Sequence, residues 1–80
     1  MFLEIITPDK KIFAGEVKLI KLPGTKGAFE ILHNHAPIIS TLEKGRIKYI
    51  DMDDQHTYIE ISGGVVETKD NKIIVLAESA

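Results

Sequence analysis

Arg46 to Glu78 reads RIKYIDMDDQHTYIEISGGVVETKDNKIIVLAE, and its pattern decides the fold class. Ile47 and Tyr49 share one parity, Arg46 and Lys48 the other. After Asp53-Asp54, a tight-turn candidate, Thr57, Ile59 and Ile61 alternate against His56, Tyr58 and Glu60. Period-two alternation on both sides of a turn predicts a hairpin of two half-buried strands. Ser62-Gly63-Gly64 interrupts it. Paired glycines in a strand context predict a bulge, or a point where another backbone comes close. Val65 to Lys69 and Lys72 to Glu78 then form a last hairpin around Asp70-Asn71, a pair suited to a positive-φ turn.

Working back toward the start, the same habit continues. Phe2 to Thr7 is an apolar strand, closed by a turn at Pro8-Asp9. Lys11 to Ala14 is a short strand, with Gly15 a bend or bulge. Between Glu16 and Leu22 the apolar parity changes: Val17 and Leu19 share one, Ile20 and Leu22 the opposite one. Either a bulge there exchanges the faces or the strand is covered on both sides. Pro23-Gly24 is a turn signal, extended by Lys26-Gly27. Ala28 to Leu32 resumes as a strand with Phe29 and Ile31 on one side. His33 to Pro37 reads as an extended corner, because a residue before proline is pushed out of the helical region. Ile38 to Leu42 is apolar, and Glu43-Lys44-Gly45 turns again. No window carries a helical period. Eight to ten short strands at this spacing predict an all-β sandwich or small barrel, one domain over residues 1–80.

Composition narrows the function. Eighty residues without cysteine exclude a disulfide staple and a thiolate metal site. A net charge of −2 and a pI near 5.9 argue against a nucleic-acid partner, which asks for a basic patch. Phe2 to Ile6 is too short for a signal peptide and lacks a basic leader. No apolar run approaches the ~20 residues of a membrane-spanning helix.

The chemistry-bearing residues do not assemble into a site. His33 and His35, two apart on a strand, would share a face and could hold a metal only with a third ligand such as His56. Asp51 to Asp54 opens like a calcium loop, but His56 stands where that loop needs glycine and Ser62 where it needs glutamate. Ser40, Ser62 and Ser79 lie in no nucleophile elbow. No glycine-rich phosphate cradle is present. The sequence therefore predicts no catalytic residue, no cofactor and no metal. Its turn residues (Pro23, Gly24, Pro37, Gly63 and Gly64) are punctuation, or they shape a surface for a protein partner.

Three motifs carry a resemblance. Gly24 to Pro37 reads GTKGAFEILHNHAP, Ile61 to Thr68 reads ISGGVVET, and Ile73 to Glu78 reads IIVLAE. In this order and at this separation, with the Phe13-Ala14-Gly15 opening, the chain resembles the N-terminal β-sandwich domain of the ε subunit of F-type ATP synthases (δ in mitochondria). Two departures stand out: Glu30 where the family pattern has glycine, and His33 where it has proline. The resemblance implies a flattened antiparallel β-sandwich of about ten short strands. It implies a non-catalytic rotor subunit of the central stalk of a proton-translocating complex, coupling ion flow to ATP synthesis or hydrolysis. It implies γ-facing residues Thr7, His35 and Ser40, and a c-ring-facing set of Thr25, Lys26, Gly27, Ala28, Phe29 and Glu30. The implied place is the cytoplasmic face of the bacterial plasma membrane, reached only through the complex. Longer family members continue into a C-terminal helical hairpin after the strand that here ends in Ala77-Glu78. With the sequence ending at Ala80, the expectation is a short form without the hairpin's ATP binding.

Two rival readings remain at this level. A lipoyl- or biotinyl-type carrier domain would present Lys72 at a hairpin tip, but the residues around it lack the usual modification context. An OB-type binder needs aromatic platforms in a basic groove. Five aromatic residues in a net acidic chain do not supply them.

Overall fold

The computed structural model describes all of residues 1–80. It contains eight strands: β1 (Phe2–Ile6), β2 (Lys11–Leu22), β3 (Phe29–Leu32), β4 (Ile38–Leu42), β5 (Gly45–Asp51), β6 (His56–Ile61), β7 (Gly64–Lys69) and β8 (Lys72–Ala77). They run in the order β4-β7-β8-β1-β2-β5-β6, with β3 also on β2. The long β2 belongs to both layers. Its first half pairs with β1 in one sheet, and its second half pairs with β3 and β5 in the other.

The parity change in β2 is where the layers exchange. Pairing with β5 shifts register between Val17 and Leu19. Val17 and Ile20 are both buried, while Lys18 and Lys21 are exposed. One extra residue turns the second half of the strand over, so each half gives its apolar side to the same interior. Leu3, Ile5, Val66, Ile73 and Val75 of the first sheet face Ile20, Leu22, Ile31 and Ile47 of the second, all essentially inaccessible. Each such side chain contributes about 1.5–3 kcal/mol. Phe13 and Tyr49 stack across the layers at 4.4 Å.

Three expectations change. The strands number eight, not about ten. Lys11–Ala14 and Glu16–Leu22 are one strand, because Gly15 stays in register opposite Leu3 and the irregularity falls at Ile12, the residue skipped where pairing passes from Ile5–Phe13 to Ile6–Lys11. Gly15 is there for space: a Cβ would stand 3.0 Å from the Phe13 ring. The pairing is also not antiparallel throughout, since β1 and β8 run parallel, Leu3 opposite Ile73 and Ile5 opposite Val75. That pair closes the sheet between the two termini, and both strands are buried on their inner face.

The expected turns form. Asp70 and Asn71 take φ of 53° and 62°, and Asp54 takes 62°. Asp51 Oδ1 accepts from the backbone N–H of Asp53 and Gln55, which ties the β5–β6 turn. Lys18 Nζ donates to Asp54 Oδ1 at 2.7 Å. This bond and the ammonium's charge hold the Asp54 carboxyl below its ordinary value; slight burial opposes them, and His56 adds a weaker pull downward. A depressed carboxylate supports the fold above its unfolded-state pKa and loses that support as pH falls through the folded one. In Lys18→Gln, the Asp54 midpoint followed by carboxyl NMR is expected to rise toward the ordinary aspartate value. An unchanged midpoint would remove Lys18 as the cause.

Candidate protein interface

The two outer faces of the sandwich differ in character. On the second sheet, Lys21 stands opposite Lys48 on one side and Glu30 on the other. Lys48 is opposite Tyr58, and Arg46 donates to Glu60 at 3.0 Å while lying 5.3 Å from the centre of the Tyr58 ring. It is a charged face, ordinary for a solvated sheet.

The first sheet is different. Outward positions of β4, β7, β8 and β1 bring Ile39, Val65, Ile74, Leu76 and Ile6 together by register. Ile39 is opposite Glu67, which is opposite Ile74, and Val65 is opposite Leu76, which is opposite Ile6. Ile39 is 75% exposed, Leu76 50% and Val65 38%. Ile39, Val65, Ile74 and Leu76 line a shallow depression of about 260 Å³, with Glu67 between Ile39 and Ile74 and Glu4 beyond Ile74. This cluster of exposed apolar side chains, interrupted by Glu67, makes the face a candidate docking surface. No single strand carries this face; it forms only where four strands meet. The signal was present: Ile73-Ile74-Val75-Leu76 does not alternate, and an unbroken apolar run belongs to a strand covered on both faces.

Two stretches singled out in the sequence border this face. Pro37, Ile38 and Ile39 line a depression at one edge with Glu67 and Lys69. Ile6, Thr7, Pro8 and Leu76 line one at the other. His35 and Pro37 are exposed. Ser40 is half-buried, alternating inward with Ile38 and Leu42, and its hydroxyl donates to the Thr41 carbonyl. Thr7 is buried; its Oγ1 lies 3.2 Å from the Lys10 carbonyl and accepts from the Lys10 N–H. Of Thr7, His35 and Ser40, His35 is the exposed one, with its Nδ1 2.8 Å from the Ala36 carbonyl oxygen.

The Thr25–Glu30 stretch lies at one end of the sandwich, where it is pinned. Gly24 bridges to Leu42, and Thr25 N donates to Thr41 O at 3.1 Å. The Thr25 and Thr41 hydroxyls are 2.7 Å apart. The Phe29 ring packs on the core and crosses over Gly24, where any Cβ would collide with it. Thr25, Lys26, Gly27, Ala28 and Glu30 are exposed.

His33 and His35 do not share a strand face. Asn34 between them has φ of 60°, and His35 N–H closes a turn on Leu32 O. This corrects the extended reading of the corner at its first two residues. The His33 ring faces Asn71 and the His35 ring its own Ala36 carbonyl. No three ligating side chains converge anywhere in the chain.

The fold is a small β-sandwich with a cluster of exposed apolar side chains on one face and a pinned loop at one end. The family pattern of the ATP synthase delta/epsilon chain β-sandwich domain matches residues 1–80, and the chain belongs to that family. It is 44% identical over 80 residues to the ATP synthase epsilon chain of Nitratidesulfovibrio vulgaris, covering all of this chain and 59% of that one. To that of Anaeromyxobacter sp. (strain K) it is 37% identical over 78 residues, covering 98% of this chain and 58% of that one. The chain thus spans a little over half the length of these relatives. Its fold matches a chain of the Euglena gracilis mitochondrial ATP synthase OSCP/F1/c-ring assembly with a TM-score of 0.90 at 20% identity, covering 96% of this chain and 49% of that one. It also matches one of the Tetrahymena thermophila central stalk/c-ring assembly, with a TM-score of 0.81 at 17% identity, covering 96% and 62%.

Proposed function

We propose that this chain is a non-catalytic rotor module of a proton-translocating F-type ATP synthase. It grips γ and rests on the c-ring, transmitting rotation between ion flow and the catalytic subunits. The apolar outer face of β4, β7, β8 and β1 carries the reading. Ile39 and Leu76, 75% and 50% exposed on neighbouring strands, would be buried by a partner covering this face. γ sits on that face, with His35 at its border. Thr7 and Ser40 act from beneath it by holding the β1–β2 turn and β4, and do not reach across. The pinned Thr25–Glu30 loop meets the ring; its fixed backbone suits a contact that must bear load. The module lies at the cytoplasmic face of a bacterial plasma membrane through the complex, and it carries no cofactor.

Binding of the 80-residue chain to γ of the same organism, measured by calorimetry, tests this. One-to-one association is expected, weakened roughly tenfold by His35→Ala, a loss of ~1.4 kcal/mol. Absence of association would overturn the reading. Unchanged affinity in His35→Ala would remove that residue from the interface.

A further inference from the structure

Asn71 reaches from the β7–β8 turn to the β3–β4 corner. Its Oδ1 accepts the backbone N–H of Asn34 at 3.0 Å. Its Nδ2 lies 3.2 Å from His33 Nδ1. The donors and acceptors settle one another. A backbone N–H only donates, so the amide oxygen belongs on Asn34. The amide nitrogen is left facing His33, and it too only donates. His33 Nδ1 is then the acceptor, and the ring proton sits on Nε2. A second proton would set N–H against N–H and remove the bond.

The two sides are unequally held. Asn71 is anchored, because its carbonyl accepts the Phe2 N–H at 3.1 Å. The corner is exposed from Leu32 to Pro37, and Asn34 holds a left-handed conformation. The Asn71 side chain ties the corner to the anchored turn.

We propose that His33 and Asn71 form a proton-sensitive latch that positions the His35 corner, closed while His33 is neutral and released when it gains a second proton. The charged groups around His33 do not replace the lost bond. Met1 and Lys18 share its cavity, of about 390 Å³. The Met1 ammonium is paired with Glu16 at 3.4 Å and Lys18 with Asp54 at 2.7 Å. Asp70 adjoins Asn71 in the turn, and His35 follows two residues along the chain. None of these forms an ion pair with His33. His33 and Asn71 are positioning residues; they act on the partner through His35, and that part rests on the function proposed above.

The test follows ¹⁵N-labelled chain between about pH 5 and 8, where histidine titrates. At the upper end, long-range ring spectra are expected to show His33 protonated on Nε2. Corrected for intrinsic rates, exchange of the Asn34 amide is expected to slow about threefold to tenfold as His33 loses its proton, the range of one net hydrogen bond. Asn71→Asp reverses the sign. A carboxylate accepts from Asn34 and from a protonated His33 alike, so the corner is better protected at the lower pH. Aspartate tolerates the same positive φ, and a purely structural Asn71 would not produce a reversal. A proton on Nδ1 at high pH, flat Asn34 exchange, or an unreversed sign in Asn71→Asp would each overturn the latch. γ binding is then measured over the same series. A pH dependence that does not change sign with Asn71→Asp overturns the positioning role alone. No γ binding at any pH overturns the rotor reading, and the positioning role with it.

Discussion

Gly64→Ala is expected to lose about 4 kcal/mol or more of stability, near the upper limit for a single substitution. Gly64 opens β7 opposite Ala77, and a Cβ there would stand 2.3 Å from the Leu76 carbonyl oxygen and 3.0 Å from the Ala77 Cα. Both obstacles are backbone in the adjoining strand, so no side chain can rotate away. Gly64 also holds φ of 153°, a region that residues with a Cβ rarely adopt. In a domain of this size each kcal/mol shifts Tm by about 4–8 °C, so the melting point is expected to fall by more than about 15 °C, or the chain to be unfolded at room temperature. Gly27→Ala is the control. Gly27 has φ of 124° but nothing within 4 Å of its would-be Cβ, so it should show backbone strain alone, about 1–2 kcal/mol. Equal losses at the two positions would refute the collision with β8.

Ile39→Lys is expected to leave the fold intact and to weaken γ binding by about 30-fold or more. Ile39 is 75% exposed on the edge strand β4, so little core packing is lost. Its cross-strand partner is Glu67, and the new ammonium would face a carboxylate. Stability should stay within about 0.5 kcal/mol of the parent. Buried under a partner, the same ammonium would have to leave water inside an apolar contact, the setting in which single residues dominate binding. Native-like melting with unchanged affinity would move the γ contact off this face. Lost affinity with a collapsed melting curve would mean that β4 had been damaged instead.

The site was only half legible in the sequence, for identifiable reasons. The Pro23-Gly24 turn and the Asp70-Asn71 turn could be read because their chemistry is local: proline restricts its own φ, and asparagine tolerates positive φ wherever it stands. The docking face could not. Ile39, Val65, Ile74, Leu76 and Ile6 come from four strands, and their adjacency depends on three registers, one of them parallel. Resemblance pointed to Thr7 and Ser40 as contact residues. Their hydroxyls also make hydrogen bonds within the domain, which only the tertiary structure reveals. The Asn71 link to His33 spans 38 residues and has no trace in local pattern.

The sequence by itself determined the all-β class, the hairpin of β5 and β6, and the family. Each is written in period-two alternation, in turn residues, or in short motifs at fixed separation, all properties of neighbours along the chain. Tertiary structure alone decided that β1 and β8 run parallel, that Gly15 makes room for Phe13 while the bulge falls at Ile12, and which sheet face gathers the exposed apolar side chains. It also brought the Asn71 amide against the His33 ring. Those outcomes depend on distances between residues far apart in sequence, and only a closed sandwich sets such distances.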